Sequence, residues 1–415
     1  MKNDLDVIVV GGGPCGSFAA FHLAKNGVNV KVFEEHSEIG VPCHCTGHVS
    51  IKSLKNLGLH PLPKGIIQNT FKGIKIHSPT RKEFAIRFSN PLTCVLNRTL
   101  FDKHIAKKAE EAGAHYYLSV HVESLIIEDN YVKGVIVKHK DGTKREIFSE
   151  IVIDAGGVHS KILRIVGLRT VQKNMVVNGV QAEVENIKDV ERDTVEVFLG
   201  RDFAPGFYAW IVPLQEDKAK VGLATKTGNP KEHLQKFMFK HPTASKKLQN
   251  AKILHITFHP IPLGGPIPKA YSNGFLAVGD AASHVKPTTG GGLIFGMTCA
   301  GIAAKIAKEA LDKGDFSAEF LGAYQKLCEK FFGFDMDVML RLRRILNAMP
   351  DKNIDNTIEV YGRFGLEKIF GNVREIDFQG RSLLNLLWKP RMLSAMLLVF
   401  PSLPLRECLK SSSTE

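Results

Sequence analysis

Asp6-Val7-Ile8-Val9-Val10-Gly11-Gly12-Gly13-Pro14-Cys15-Gly16 is the stretch whose reading decides the fold. A short apolar run feeds directly into three glycines, a helix-compatible stretch follows from Gly16 to Asn26, and a second apolar run, Val28 to Phe33, closes on Glu34. That order is strand, turn, helix, strand, the opening unit of a parallel dinucleotide-binding sheet. With glycine at Gly11, Gly13 and Gly16, backbone N–H groups can approach a pyrophosphate at the positive end of the helix. Glu34 stands at the spacing of an acid that bonds a ribose hydroxyl. A lone glycine motif is weak, and a plain tight turn is its bland reading; the flanking strand and helix favour the ligand-binding one.

Outward from this unit, Leu100 to Ala112 reads as a helix, with Phe101, Ile105 and Ala109 at near-fourfold spacing, and Ile151 to Ala155 as a buried strand ending in glycines. After about residue 170 the texture changes. Met175–Val184, Thr194–Leu199, Tyr208–Pro213 and Ala219–Thr225 are short β-prone runs divided by turn residues, and Gly73–His77 and Glu83–Phe88 resemble earlier strands of the same antiparallel sheet. Gly274–Val278 returns to a buried strand, Gly290–Leu311 to a long glycine-started helix, and the chain from about 316 is mostly helical. The expected architecture is α/β: a discontinuous Rossmann-like dinucleotide lobe (1–60, 91–170 and 265–315), an antiparallel-sheet substrate lobe (61–90 and 171–264) and a mostly helical C-terminal lobe (316–415).

The 415 residues, 44% apolar, suffice for a sizeable core, and the formal charge of +13 favours an anionic partner: phospholipid headgroups, nucleic acid or an acidic electron-transfer protein. No nucleic-acid motif or long basic block is present, which argues against nucleic acid. Seven scattered cysteines argue against a secreted disulfide framework and for a reducing, cytosolic setting. Cys43 and Cys45 lack a matching second pair, so no metal site is expected. Leu383 to Leu405 is leucine-rich, but Asn385, Lys389, Pro390, Arg391 and Pro401 interrupt it below the roughly 20 apolar residues of a membrane span. The part from Leu383 to Phe400, with Trp388, Lys389 and Arg391, has the composition of an interfacial segment and equally of a core helix.

Two further segments identify the dinucleotide. Asp154-Ala155-Gly156-Gly157-Val158-His159-Ser160 followed by Arg164, and Gly279-Asp280-Ala281-Ala282 followed by Pro287, resemble the second and third fingerprints of the p-hydroxybenzoate-hydroxylase-type flavoproteins. The resemblance implies FAD. It also assigns Asp280 to the ribityl and pyrophosphate region and matches Arg98, in Asn97-Arg98-Thr99-Leu100-Phe101-Asp102, to the arginine that steadies the cofactor. Gly290, Gly291 and Gly292, after Pro287, would present a helix N-terminus to the flavin and stabilise negative charge on the reduced ring. Close helix crossings or plain turns are the structural reading of the same glycines.

Within that class the chain resembles the geranylgeranyl reductase family. Pro42 with Cys45, Tyr208-Ala209-Trp210-Ile211-Val212-Pro213 with Gly222-Leu223-Ala224, and Lys286-Pro287-Thr288-Thr289-Gly290-Gly291-Gly292 carry the resemblance. Val212 stands where the family has an aromatic, and Thr46, Gly47 and His48 where it has a more glycine-rich turn. The resemblance implies FAD-dependent saturation of isoprenoid chains in membrane lipids of archaeal type, or in prenyl diphosphates. Hydrogenating an isolated alkene takes a hydride on one carbon and a proton on the other, with the acid prepositioned and water excluded. Reduced FAD supplies the hydride. Cys45 is the candidate beside the flavin for the proton, against an inert thiol; His44 and His48 flank it, against solvated loop histidines. Tyr208 and Trp210, two apart on an expected strand, share a face and suit the lining of a prenyl channel, against an ordinary core pair.

Two other functions share this frame. An aromatic monooxygenase or halogenase fits the Tyr208–Pro213 pattern, though Tyr208 and Val212 replace that pattern's first tryptophan and its isoleucine, and its lysine would have to be Lys52 or Lys55. A flavoprotein with structural flavin only is the other. No second glycine unit for a nicotinamide is present, so a ferredoxin or separate reductase docking transiently on the basic surface is the expected electron donor. Peripheral contact with an anionic membrane is the expected setting for a prenyl lipid substrate.

Overall fold

The computed structural model describes residues 5–373 and 375–399. Contacts divide the chain into two units where the sequence reading expects three lobes: residues 1–43, 98–175 and 262–333 form the first, and 44–97, 176–261 and 334–415 the second.

The first unit is built on a six-stranded sheet in the order Tyr271–Ser272, Phe275–Ala277, Ile151–Asp154, Val7–Val10, Val30–Glu34, His115–Leu118. Its strands run parallel except Tyr271–Ser272, which turns back on Phe275–Ala277. Val7–Val10 and Ile151–Asp154 are buried along their whole length, which is why they read as unbroken apolar runs rather than alternating ones. Helix Pro14–Lys25 packs on helices Arg98–Glu111 and Leu293–Lys313. Residues 113–150 carry no element that the sequence reading expects. The chain there adds the sheet-edge strand His115–Leu118 and a three-stranded antiparallel sheet, Val120–Glu128, Tyr131–His139 and Lys144–Phe148. Its first hairpin turns on Asp129 and Asn130, both at positive φ (49° and 64°), the primed-turn geometry that matches strand twist.

The second unit carries a seven-stranded sheet in the order Lys252–Pro262, Val176–Glu185, Ala219–Thr225, Ala209–Pro213, Thr194–Phe198, Gly73–His77, Glu83–Arg87. Most of its pairings are antiparallel, as the sequence reading expects, but Thr194–Phe198 pairs with Gly73–His77 in parallel, from Thr194 opposite Gly73 to Phe198 opposite His77. Strands so far apart in sequence are not joined by a hairpin, so nothing local requires them to run opposite ways. A smaller antiparallel sheet, His48–Ser50, Thr93–Leu96 and Ile67–Phe71, draws residues 44–60 and 91–97 into this unit.

Helices Pro230–Lys240 and Ala244–Leu248 seal the large sheet around Val180, Phe198, Ile211, Leu223 and Phe237. The C-terminal helices share a core with the sheet: Ile358, Leu366, Leu386, Met392 and Ala395 cluster with Phe84 and Ile86 of the edge strand. The first part of the region from 316 onward, through Gly333, belongs to the first unit and the rest to the second. Phe400, Pro401 and Leu405, which the sequence reading included in its leucine-rich segment, lie outside the described residues.

Candidate active site

In the first unit, strand Val7–Val10 delivers the chain into Gly11, whose φ of +93° is open to glycine at little cost. A Cβ there would lie 2.6 Å from the carbonyl oxygen of Ala155, and one at Gly16 would lie 1.9 Å from the carbonyl of Gly11. Both glycines are thus demanded by packing of backbone on backbone. Gly13 is different. It is the N-cap of helix Pro14–Lys25, makes no side-chain cap, and a Cβ on it would meet nothing within 4 Å. The helix start therefore has no side-chain cap and has room beside Gly13, which fits a pyrophosphate.

Glu34 braces this loop. One carboxylate oxygen accepts from the Gly12 N–H at 2.7 Å, and the other from the His36 N–H at 2.9 Å and from its Nδ1 at 2.6 Å. Arg98 lies at the start of helix Arg98–Glu111, where its Nε and Nη2 grip both oxygens of Asp102 at 3.0 and 2.9 Å in a part-buried fork. Asp154 accepts from Gly156 N–H at 2.9 Å and Ser160 Oγ at 2.7 Å, and burial pushes its carboxyl up to about 6.

The third segment closes the same unit. Gly279–Ala282 forms a 3₁₀ turn carrying Asp280, buried Pro287 follows, and Gly290 turns at φ +71° with its N–H on the Lys286 carbonyl. Gly292 is the N-cap of helix Leu293–Lys313, again without a side-chain cap. Cβ atoms at Gly291 and Gly292 would come within 2.9 Å of Lys286 Cε and 2.8 Å of Asp280 Oδ1. Two glycine-started helices with uncapped N-termini in one parallel-sheet unit fit a flavin dinucleotide, whose anionic groups need N–H donors and close backbone approach.

Cys15, which the sequence reading did not single out, fills the space that Gly279 and Gly296 leave. Cβ atoms on those residues would come 3.0 and 2.6 Å from its sulfur. Burial holds its thiol far above the ordinary range, so it packs rather than reacts.

The candidate chemistry residues belong to the second unit. Cys45 is exposed, and its sulfur accepts from the Gly47 N–H at 3.3 Å. The loop around it is held at Thr46, whose hydroxyl meets Gln181 Oε1 at 2.5 Å and whose carbonyl accepts from Lys220 Nζ at 2.9 Å. Lys220 also donates to the Leu96 carbonyl at 3.2 Å. His48 is tied to Thr93 Oγ1 at 2.8 Å, while the ring of His44 stacks on His259 with centroids 5.4 Å apart. Lys220, Gln181 and His259 went unnoticed in the sequence. Lys220 had a signal: it is the one charge in the wholly buried strand Ala219–Thr225, and a buried ammonium needs acceptors.

Tyr208 immediately precedes strand Ala209–Pro213, and its ring meets that of Trp210 edge to face at 5.8 Å, so the two do share a side. Trp210 lies opposite Gly222, where a Cβ would be 2.5 Å from its indole, and packs on the Phe71, Val95, Val195, Val212 and Leu214 cluster. Its Nε1 is buried with no protein partner among the described residues. Phe207 stacks on Tyr208 at 4.2 Å, and the buried Arg343 guanidinium sits 4.6 Å from the Phe207 ring centre. Burial lifts the Tyr208 phenol to about 12, against the opposing pull of Arg343. Lys52 is engaged by Glu375 at 2.9 Å, and Lys55 is exposed.

An FAD-binding-domain model matches residues 4–332. The digeranylgeranylglycerophospholipid reductase of Methanosarcina acetivorans is 34% identical over 399 residues, 93% of each chain. A second reductase so named, from Methanopyrus kandleri, is 34% identical over 366 residues, 87% of this chain and 91% of its own. The chain belongs to the digeranylgeranylglycerophospholipid reductase family. A geranylgeranyl bacteriochlorophyll reductase-like protein of Thermoplasma acidophilum superposes with a TM-score of 0.83 at 26% identity, over 95% of this chain and 99% of that one. A flavin-dependent brominase shares the fold at TM-score 0.68 and 20% identity, which speaks for the fold alone. Family membership makes FAD the dinucleotide for which the paired glycine cradles are shaped. Among the described residues no group of three or more His, Cys, Asp or Glu is placed to hold a metal ion, and no helix is long and apolar enough to cross a membrane.

Proposed function

We propose that this protein reduces carbon–carbon double bonds of geranylgeranyl chains on archaeal-type glycerophospholipids. The observation that carries the reading is the 34% identity to a digeranylgeranylglycerophospholipid reductase across 93% of both chains, on a unit in which two helices start at glycine with no side-chain cap. Bound and reduced, FAD supplies the hydride. Gly11, Gly13 and Gly16 admit the pyrophosphate, Glu34 meets the ribose, Arg98 and Asp280 steady the cofactor, and Pro287 with Gly290, Gly291 and Gly292 forms the turn toward the ring.

Cys45 gives its thiol proton to the second alkene carbon and is left as thiolate, which solvent or neighbouring His44 reprotonates. Tyr208 and Trp210 line the prenyl chain, excluding water from the step. The electron donor is a small acidic redox protein drawn by the net charge of +13, so turnover falls steeply with salt; a salt-independent rate would refute it. The protein works on the reducing, cytosolic side, in peripheral contact with the membrane that holds its substrate.

Anaerobic incubation of the chemically reduced protein with an unsaturated archaeal phospholipid is the test. Each reduced double bond adds two hydrogens to the lipid mass, with no oxygen uptake. An unchanged mass refutes the reading, and oxygen consumption with a hydroxylated or halogenated product would favour the monooxygenase class. Wild-type turnover in Cys45→Ser would remove the proton role from Cys45 alone.

A further inference from the structure

The two terminal described helices, Gln379–Leu387 and Pro390–Val399, have already spent one face on the core: Leu386, Met392 and Ala395 join the cluster around Phe84 and Ile86, and Val399 is buried. The opposite face of a helix so used is ordinarily polar. Here it is not. Leu384 is 46% exposed, Trp388 83%, Leu393 49%, Leu397 74% and Leu398 57%. Leu384 with Trp388, and Leu393 with Leu397, repeat at the fourfold spacing that aligns side chains along one helix side. Single exposed leucines need no explanation, but four of them with a nearly bare indole within fifteen residues do.

Charge says what covers it. Lys389 and Arg391 are exposed beside Trp388, and the single acid between residues 376 and 399, Asp377, is buried and bonded to Ser53 Oγ at 2.5 Å. The Glu367 carboxylate and the Arg391 guanidinium both lie within 4 Å of the position of a Cβ on Gly365, so Lys389 is the cation nearest Trp388 in sequence with no acid beside it in the chain. Leucine and tryptophan flanked by exposed cations is the chemistry of an element lying in the headgroup layer of an anionic bilayer, tryptophan at the polar boundary and cations on phosphates. Among the described residues no helix is long and apolar enough to cross a membrane.

We propose that the Gln379–Val399 helix pair is the membrane-docking element of this protein, inserting Leu384, Trp388, Leu393 and Leu397 into an anionic lipid surface. The inference rests on the lipid-reductase reading for its biological sense, but vesicle binding is read without turnover, so the two can fail separately.

The chain has two tryptophans, Trp210 and Trp388. Adding vesicles of phosphatidylcholine with one part in three phosphatidylglycerol to the FAD-loaded protein should shift its emission to the blue, and Trp388→Phe should abolish the shift. Cosedimentation with those vesicles should exceed that with pure phosphatidylcholine, and Leu393→Glu with Leu397→Glu should lower partition about tenfold or more. Flavin content and reduction of a detergent-dispersed prenyl substrate should stay at wild-type level in that variant. Absence of binding to either vesicle overturns the proposal, as does a concentration-dependent dimer that buries Trp388, which would make a second copy the occupant. Equal binding to both vesicle types overturns the anionic preference.

Discussion

The buried ammonium of Lys220 donates to the carbonyl of Thr46, the residue after Cys45, at 2.9 Å, and to the carbonyl of Leu96 at 3.2 Å. One side chain from the large sheet therefore clamps the loop that presents the thiol and the end of the strand beside it. Lys220→Met leaves buried acceptors without that donor, at about 1–3 kcal/mol. We expect the variant to keep its flavin, lose prenyl reduction by about tenfold or more, and alter the rate at which Cys45 is alkylated. Alkylation at the wild-type rate and pH profile would mean that Lys220 stabilises the sheet without positioning the thiol.

Gly13 and Gly16 should separate a glycine required by a ligand from one required by packing. Nothing lies within 4 Å of a Cβ on Gly13, so Gly13→Ala should leave apoprotein stability within about 0.5 kcal/mol while weakening FAD binding. Gly16→Ala drives a methyl to 1.9 Å from the Gly11 carbonyl and should destabilise the apoprotein itself. Urea denaturation of both apoproteins, with flavin titration by fluorescence quenching, checks the pair.

Gly222 is the floor on which the Trp210 indole rests, with a would-be Cβ 2.5 Å from the ring and 2.7 Å from the Val180 carbonyl. Gly222→Ala must therefore move the indole, at about 1–3 kcal/mol of overpacking. If Trp210 lines the lipid chain, the KM for the prenyl lipid rises while flavin affinity, which draws on the other unit, stays unchanged. A loss of stability with unaltered KM would leave Trp210 a core residue.

His284 titrates with a defined sign. Burial holds its imidazole down to about 4, from an ordinary 6.5, despite Asp280 pulling upward. Between those values the unfolded chain carries a proton that the folded one sheds. Its contribution is thus complete above pH 6.5 and is lost as the pH falls toward 4, by an amount on the order of 3 kcal/mol. Asp154, pushed up to about 6, acts oppositely, favouring the fold at lower pH. The stability difference between wild type and His284→Leu, in which Asp154 cancels, should therefore shift against wild type on acidification from pH 6.5 to 4. A difference independent of pH would refute the assignment.

How legible the molecule was depends on how local each determinant is. Val7–Val10, the glycines after it and the helix from Pro14 announce themselves because strand, turn and helix start are adjacent in the chain and each is set by its own residues. The same holds for Ile151–Asp154 and for the short strands from Val176 to Thr225. The first hairpin between residues 120 and 148 escaped because its turn uses Asp129 and Asn130 instead of glycine, whereas the second turns through Asp141 and Gly142, at φ +86°, a signal the sequence does carry. Thr194–Phe198 joining Gly73–His77 in parallel is a pairing over more than a hundred residues, on which short-range pattern is silent.

The bare sequence determined that a dinucleotide cradle would form, since glycines between an apolar run and a helix leave backbone N–H groups nowhere better to point than at an anion. Only the tertiary structure decided that Glu34 would tie down Gly12, that Lys220 would secure the loop of Cys45, and that the leucines around Trp388 would face outward. Those outcomes depend on which distant backbone atom or surface arrives beside a side chain. Hydrogen bonds and burial are settled by that arrival, in space, and not by the neighbours a residue has along the chain.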